Sequence, residues 1–282
     1  MTEFNASYLK IEPRELVHFL LCNAEQSERD CVNPQELMTF LKLDFLCFNF
    51  ARELPDEAKR SIAGGAPRAL LSFDDRLIAT DDSLDERRTR FSVLHEIAHY
   101  VLPNHEHTLY VCDDAGLSNT TRLVMEREAN EFAADLLFLA DRFSVEANTR
   151  PISARTIKEL AVKHKASFEA TARRFIQKNF RDCMLVVFKH EEGSYTPDID
   201  AQSTWTVRYC VASPTFKTSY YEKVNGTVSQ ETVTMVTASG RDIADSYTTE
   251  ARIKNQSGET KAFQAEFFYN TYNIFCLLTP VE

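Results

Sequence analysis

SLDERRTRFSVLHEIAHYVLP, residues Ser83 to Pro103, reads as one capped helix. Ser83-Leu84-Asp85-Glu86 has the form of a capping box, in which a side-chain oxygen accepts an otherwise orphaned backbone N–H of the first turn. Pro103 stops the helix, because the residue before a proline is pushed out of helical backbone. Leu94, Ile97, Ala98, Val101 and Leu102 form its apolar stripe. Embedded in that stripe is His95-Glu96-Ile97-Ala98-His99. The i, i+4 spacing puts both imidazoles on one face, about one turn apart, as two ligands of a single zinc require. Glu96 stands beside them as a base for a water that the metal acidifies. A solvated surface helix is the ordinary reading of two such histidines, but the apolar surroundings argue against it.

A catalytic zinc needs a third protein ligand. The next helical run, from Arg122 to about Ala140 with caps offered by Ser118 to Thr121, carries Glu126-Arg127-Glu128-Ala129-Asn130-Glu131. Glu126 is the candidate ligand, with Glu128 as the alternative; Glu131 belongs to a solvated face. Asn130 shares the face of Glu126 and is placed to hydrogen-bond a ligand. His105, His107, Tyr100 and Tyr110 follow the motif closely. They are candidates for contacting substrate or an oxyanion, which needs a donor aimed at developing charge; loop positions without a catalytic part are the alternative. His18, His164 and His190 have no constellation and read as structural.

Outward from these helices the chain changes character. The first 60 residues read as helical. Glu12 to Ala24 puts Leu16, Phe19 and Leu20 on one face, and Asn33-Pro34-Gln35-Glu36 starts a second helix with Asn as N-cap, Pro at the first helical position and Glu36 closing a capping box. A loop at Gly64, Gly65 and Pro67 precedes a strand pair over Ala69 to Thr80 that turns at Asp74-Asp75. Thr156 to His164 and Phe168 to Lys178 read as two short helices. From Cys183 onward Val, Thr, Tyr and Phe dominate, as in MLVVF (Met184 to Phe188), TWTVRYCV (Thr204 to Val211), TVTMVTA (Thr232 to Ala238) and YNIFCLL (Tyr272 to Leu278), which are strand signals. The expected class is α+β: a helix-rich domain over 1–148, a helix-turn-helix-like segment over 149–182, and a β-rich domain over 183–282.

The 282 residues carry a formal net charge of −10, which opposes non-specific binding of the whole chain to nucleic acid or membrane. No apolar run approaches a membrane span and the N-terminus lacks a targeting pattern. The seven scattered cysteines, never spaced CxxC, read as reduced thiols of a cytoplasmic protein.

RFSVLHEIAHYVL (Arg90 to Leu102) followed by EREANEFAADLL (Glu126 to Leu137) resembles the ImmA/IrrE metallopeptidases over about residues 30 to 140. The resemblance implies a compact zincin-like catalytic domain holding Zn²⁺, with Mn²⁺ as the other candidate. The wider zincin class takes its third ligand from Glu-x-x-Ala-Asn/Asp, which favours Glu126 here. It further implies a regulatory endopeptidase acting on a protein, typically a helix-turn-helix repressor of stress or mobile-element genes. The radiation-response branch adds a helix-turn-helix and a GAF-like sensor domain, and this chain is similar in organisation. It departs from the family in carrying Ala98 where many members have Gly, and in placing Pro103-Asn104 before the histidine that follows the motif helix.

Two other readings stay open. Ser153 to Phe180 holds seven Lys/Arg against two acids, so a basic helix pair could meet DNA phosphates, or could equally be a packing element. A ligand-sensing regulator with an inert metal site is the third, its aromatics (Trp205, Tyr209, Phe216, Phe267, Phe268, Tyr269, Tyr272, Phe275) lining either a pocket or a core. Glu96 argues against an inert site, since a structural zinc needs no base beside its ligands.

Overall fold

The computed structural model describes residues 12–26, 28–54, 68–103, 105, 119–190, 205–221, 227–238, 246–270 and 272–281. His107, Tyr110, the Gly64-Gly65-Pro67 loop and Ser118 lie outside them. The chain divides into two compact units, Met1–Arg142 with Lys163–Ser167, and Phe143–Val162 with Phe168–Glu282. The architecture is mixed α+β, as the sequence predicts.

In the first unit, helices α1 (Pro13–Asn23), α2 (Pro34–Leu41) and α3 (Phe50–Glu53) surround strands β1 (Asp44–Phe48), β2 (Ala69–Ser72) and β3 (Leu77–Asp81). Two long helices follow, α4 (Glu86–Val101) and α5 (Asn119–Leu137). The sheet order is β1-β3-β2, with β1 parallel and β2 antiparallel to β3. Helix α4 packs on β2, β3 and α5. Ala98 of α4 and Ala129 and Ala133 of α5 are fully buried, and side chains this small let helix backbones approach closely.

Several local readings change. β1 is a strand inside a stretch expected to be helical; a short apolar run such as Phe45-Leu46-Cys47-Phe48 does not distinguish the two, and pairing with β3 decides it. Phe19 is not on the buried face of α1; Leu16, Val17, Leu20 and Leu21 are, while Phe19 tilts against Phe40 at 6.3 Å. Asn33 caps α2 by accepting from Gln35 N–H, but Glu36 does not close the box. The Asn33 N–H goes to Gln26 Oε1 at 2.6 Å, and Glu36 instead receives Gln26 Nε2 and Arg29. Likewise Asp85, not Ser83, caps α4, accepting from the Arg87 and Arg88 N–H groups. The Ser83 hydroxyl is already committed to Asp81 in the turn after β3.

The second unit is a five-stranded antiparallel sheet in the order β5-β4-β8-β7-β6. Its strands are β4 (Met184–His190), β5 (Trp205–Ala212), β6 (Tyr247–Lys254), β7 (Thr260–Tyr269) and β8 (Asn273–Pro280). Helices α6 (Asp141–Thr149), α7 (Ala154–Lys163) and α8 (Phe168–Gln177) precede it, and α9 (Pro214–Ser219) and α10 (Gln230–Ala238) interrupt it. Strand side chains alternate between faces. Met184, Val186, Ile274, Cys276 and Leu278 take one face, in a core with Phe216 of α9 and Val233 of α10. The opposite face carries Phe268 and Phe275, stacked at 5.0 Å and met edge-on by Phe168 of α8.

Residues Thr232 to Ala238, expected as strand, are helical. The Ser229 hydroxyl accepts the Thr232 N–H, and Val233 and Val236, one turn apart, are both buried. Capping and tertiary packing outweigh the β propensity of Thr and Val. Between Val187 and Phe188 the pairing of β4 with β5 shifts by one residue, so Arg208 is an extra residue in β5.

Candidate metal centre

Helix α4 ends at Val101, with Leu102 in extended backbone as Pro103 requires. His95 and His99 therefore occupy its last two turns, facing α5. Their Nε2 atoms lie 3.1 Å apart. Glu126 of α5 brings Oε2 to 3.3 Å from His95 Nε2 and Oε1 to 3.8 Å from His99 Nε2. The three ligand atoms lie within 4.8 Å of one another. With metal–ligand bonds near ~2.0–2.1 Å, tetrahedral donors stand about 3.3 Å apart. Two imidazoles and a carboxylate at these separations fit a divalent ion.

The side chains of His99 and His95 are 9% and 16% exposed, that of Glu126 46%, so the cluster is closed on the histidine side and open beside Glu126. Burial, with the neighbouring charges on His95 and His105, holds His99 well below the usual histidine range. That favours the neutral imidazole that coordination needs. Burial pulls His95 the same way, but its hydrogen bond to Glu126, the charges of Glu96 and Glu126, and Asn130 together raise it. Glu126 is held low, first by its hydrogen bond to His95. Burial, with a smaller push from Glu126, lifts Glu96 from 4.5 to about 7. A carboxylate with that pKa can both take and release a proton near neutrality.

The surrounding residues sort differently. Asn130, one turn beyond Glu126, helps to raise His95, whose buried Nδ1 has no hydrogen-bond partner at ordinary distance among the described residues. Tyr100 is half-buried and stacks on Phe73 at 6.0 Å. His105 is only 2% exposed. Its Nδ1 lies 2.9 Å from His99 Nδ1, and its Nε2 lies 3.3 Å from Glu128 Oε2. Both ring nitrogens are thus engaged within the protein. Burial holds His105 below the usual histidine range, against the pull of Glu128. The sequence shows that His105 and Glu128 lie near the motif, but not that they meet behind His99, because helix periodicity says nothing of a residue past Pro103. Among the described residues no helix is long and apolar enough to cross a membrane.

Residues 60–175 match the family model described as Peptidase_M78, IrrE N-terminal-like domain, a span short of half the chain that includes every residue of the cluster. The match suggests a metal-dependent regulatory peptidase. No curated protein matches the chain. Among solved structures the fold is similar to that of a Mycobacterium tuberculosis transcriptional regulator, at 13% identity and a TM-score of 0.54, covering 96% of this chain and 81% of the other. The chain thus shares a fold with that regulator, and the stretch around its His-His-Glu cluster is similar to an IrrE N-terminal-like domain.

Proposed function

We propose that this protein is a zinc-dependent regulatory endopeptidase whose substrate is a helix-turn-helix transcriptional repressor. The observation that carries the reading is the convergence of His95, His99 and Glu126, with Glu96 beside them lifted to about 7. His95, His99 and Glu126 would hold the ion, with Mn²⁺ as the alternative to Zn²⁺, and leave its open side towards solvent beside Glu126. When bound, the ion supplies the positive charge that acidifies water towards a pKa of ~7 and polarises a carbonyl. Glu96 takes the proton from the attacking water and delivers it to the leaving amine, which its pKa near neutrality allows at both steps. Asn130 supports the orientation of His95.

The organisation expected from the sequence, a catalytic domain to about 148, a helix pair and a β-rich sensor, suits regulation of such a peptidase. The match to an IrrE N-terminal-like domain and the printed name of the structural neighbour, a transcriptional regulator, support a regulatory setting. Direct DNA reading by α8 is less well supported. Its Glu169 accepts from the Tyr209 hydroxyl at 2.6 Å and pairs with Arg208, and Phe168 packs on the sheet, so α8 is engaged by its own unit. The test is incubation of the purified protein, with added Zn²⁺ or Mn²⁺, with the helix-turn-helix repressors encoded near its gene, beside Glu96→Gln. A discrete fragment is expected with the wild type alone. Equal fragments from Glu96→Gln would refute the mechanism.

A further inference from the structure

The contacts behind His99 form a chain that the metal ligands do not explain. His105 sits just past the proline that ends α4, with its N–H directed at Leu102 O at 3.4 Å. Its imidazole is 2% exposed. Its Nδ1 faces His99 Nδ1 at 2.9 Å. Two ring nitrogens at that distance form a hydrogen bond only if one carries a proton and the other does not. His99 turns its other nitrogen, Nε2, towards His95 and Glu126, so a ligand lone pair there requires the proton on Nδ1. His105 Nδ1 is then the acceptor, and the proton of a neutral His105 is on Nε2. That nitrogen lies 3.3 Å from Glu128 Oε2.

We infer that His105 and Glu128 are positioning residues that fix the tautomer of His99: Glu128 accepts from His105 Nε2–H, and His105 Nδ1 accepts from His99 Nδ1–H. The arrangement rests on the metal site proposed above and adds to it. A ligand histidine whose distal N–H is hydrogen-bonded is locked in rotation and made a better donor, and loss of such a partner typically costs 10- to 100-fold in metal affinity. Here the partner is a second imidazole in place of a carboxylate. It brings the anionic charge of Glu128 to bear on His99 through a neutral ring, while Glu128 itself stays half exposed, with 53% of its side chain accessible. This assigns a role to His105 other than contact with substrate, and to Glu128 other than direct ligation.

The experiment is Zn²⁺ affinity, measured by competition with a chromophoric chelator at fixed pH, for wild type, His105→Phe, His105→Gln, Glu128→Ala and the double variant His105→Phe/Glu128→Ala. His105→Phe should weaken binding by about 10- to 100-fold. His105→Gln should restore most of it, because its amide can accept from His99 and donate to Glu128. Glu128→Ala, a half-exposed position that should leave the fold intact, should give a smaller loss and add nothing in the double variant. Nitrogen-15 spectra of the zinc-loaded wild type should show His99 protonated at Nδ1 and His105 at Nε2. A folded His105→Phe that binds zinc within twofold of wild type would overturn the inference alone, as would additive losses in the double variant. A wild type that binds no zinc would overturn the metal site with it.

Discussion

Glu96→Gln tests the electrostatics of the site without any substrate. The Glu96 carboxyl rises from 4.5 to about 7, chiefly through burial and further through the charge of Glu126, with His95 opposing. A carboxyl whose folded pKa lies above its unfolded one binds its proton more tightly in the native state. Its contribution to stability is full below the unfolded value and is lost as pH rises through about 7. A rise of that size is worth at most about 3 kcal/mol, and the partial solvent contact of Glu96 makes this an upper bound. Glutamine has nearly the same shape and does not titrate. In metal-free protein held in chelator, urea unfolding at pH 5 and pH 8 isolates the effect. Between these values the wild type should lose roughly 1–3 kcal/mol more than Glu96→Gln. Comparing each variant with itself cancels the fixed cost of burying an amide. The same dependence on pH in both proteins would refute the claim that burial stores unfavourable charge at this carboxylate.

Other perturbations test neighbouring parts of the structure. His99→Ala removes one of three ligands, so added Zn²⁺ should raise the melting temperature of the wild type and leave the variant unmoved; an equal rise in both would remove His99 from the site. Asp85→Ala removes the cap of α4 and should cost about 1 kcal/mol by chemical denaturation, whereas Ser83→Ala, which is not the cap, should not reproduce an N-cap loss at α4. Phe275→Ala opens a cavity beneath Phe268 and Phe168 and should cost about 3–5 kcal/mol in the second unit; a loss under 1 kcal/mol would mean that the aromatic stack packs loosely.

Much of the site was legible because it is written in helix periodicity. His95 and His99 must share a face at i, i+4, and Glu126 and Asn130 must do the same on the next long helix; the structure brings His95, His99 and Glu126 together. What was not legible depends on contacts that periodicity does not encode. β1 exists because β3 offers it a parallel partner. Thr232 to Ala238 is a helix because a serine caps it and two valines one turn apart reach the core. Spacing alone assigns Ser83 and Glu36 to capping boxes, but each has a stronger partner, Asp81 for one and Gln26 with Arg29 for the other. The meeting of His105 with His99 and Glu128 depends on the direction the chain takes after Pro103, which no local rule supplies.

The extra residue in β5 bears on how this domain can change length. Trp205, Val207 and Cys210 belong to one core while Tyr209 faces Glu169, and the irregular pairing at Arg208 makes that distribution possible. Because strand faces alternate strictly, most single-residue deletions in β5 would carry side chains to the wrong side of the sheet. Removing Arg208 would instead restore regular alternation and leave Trp205, Val207, Tyr209 and Cys210 all where they now point. A deletion at Arg208 should therefore be accepted more readily than one at Val207 or Tyr209, which would set Arg208 in the place of the residue lost, though it gives up the ion pair with Glu169.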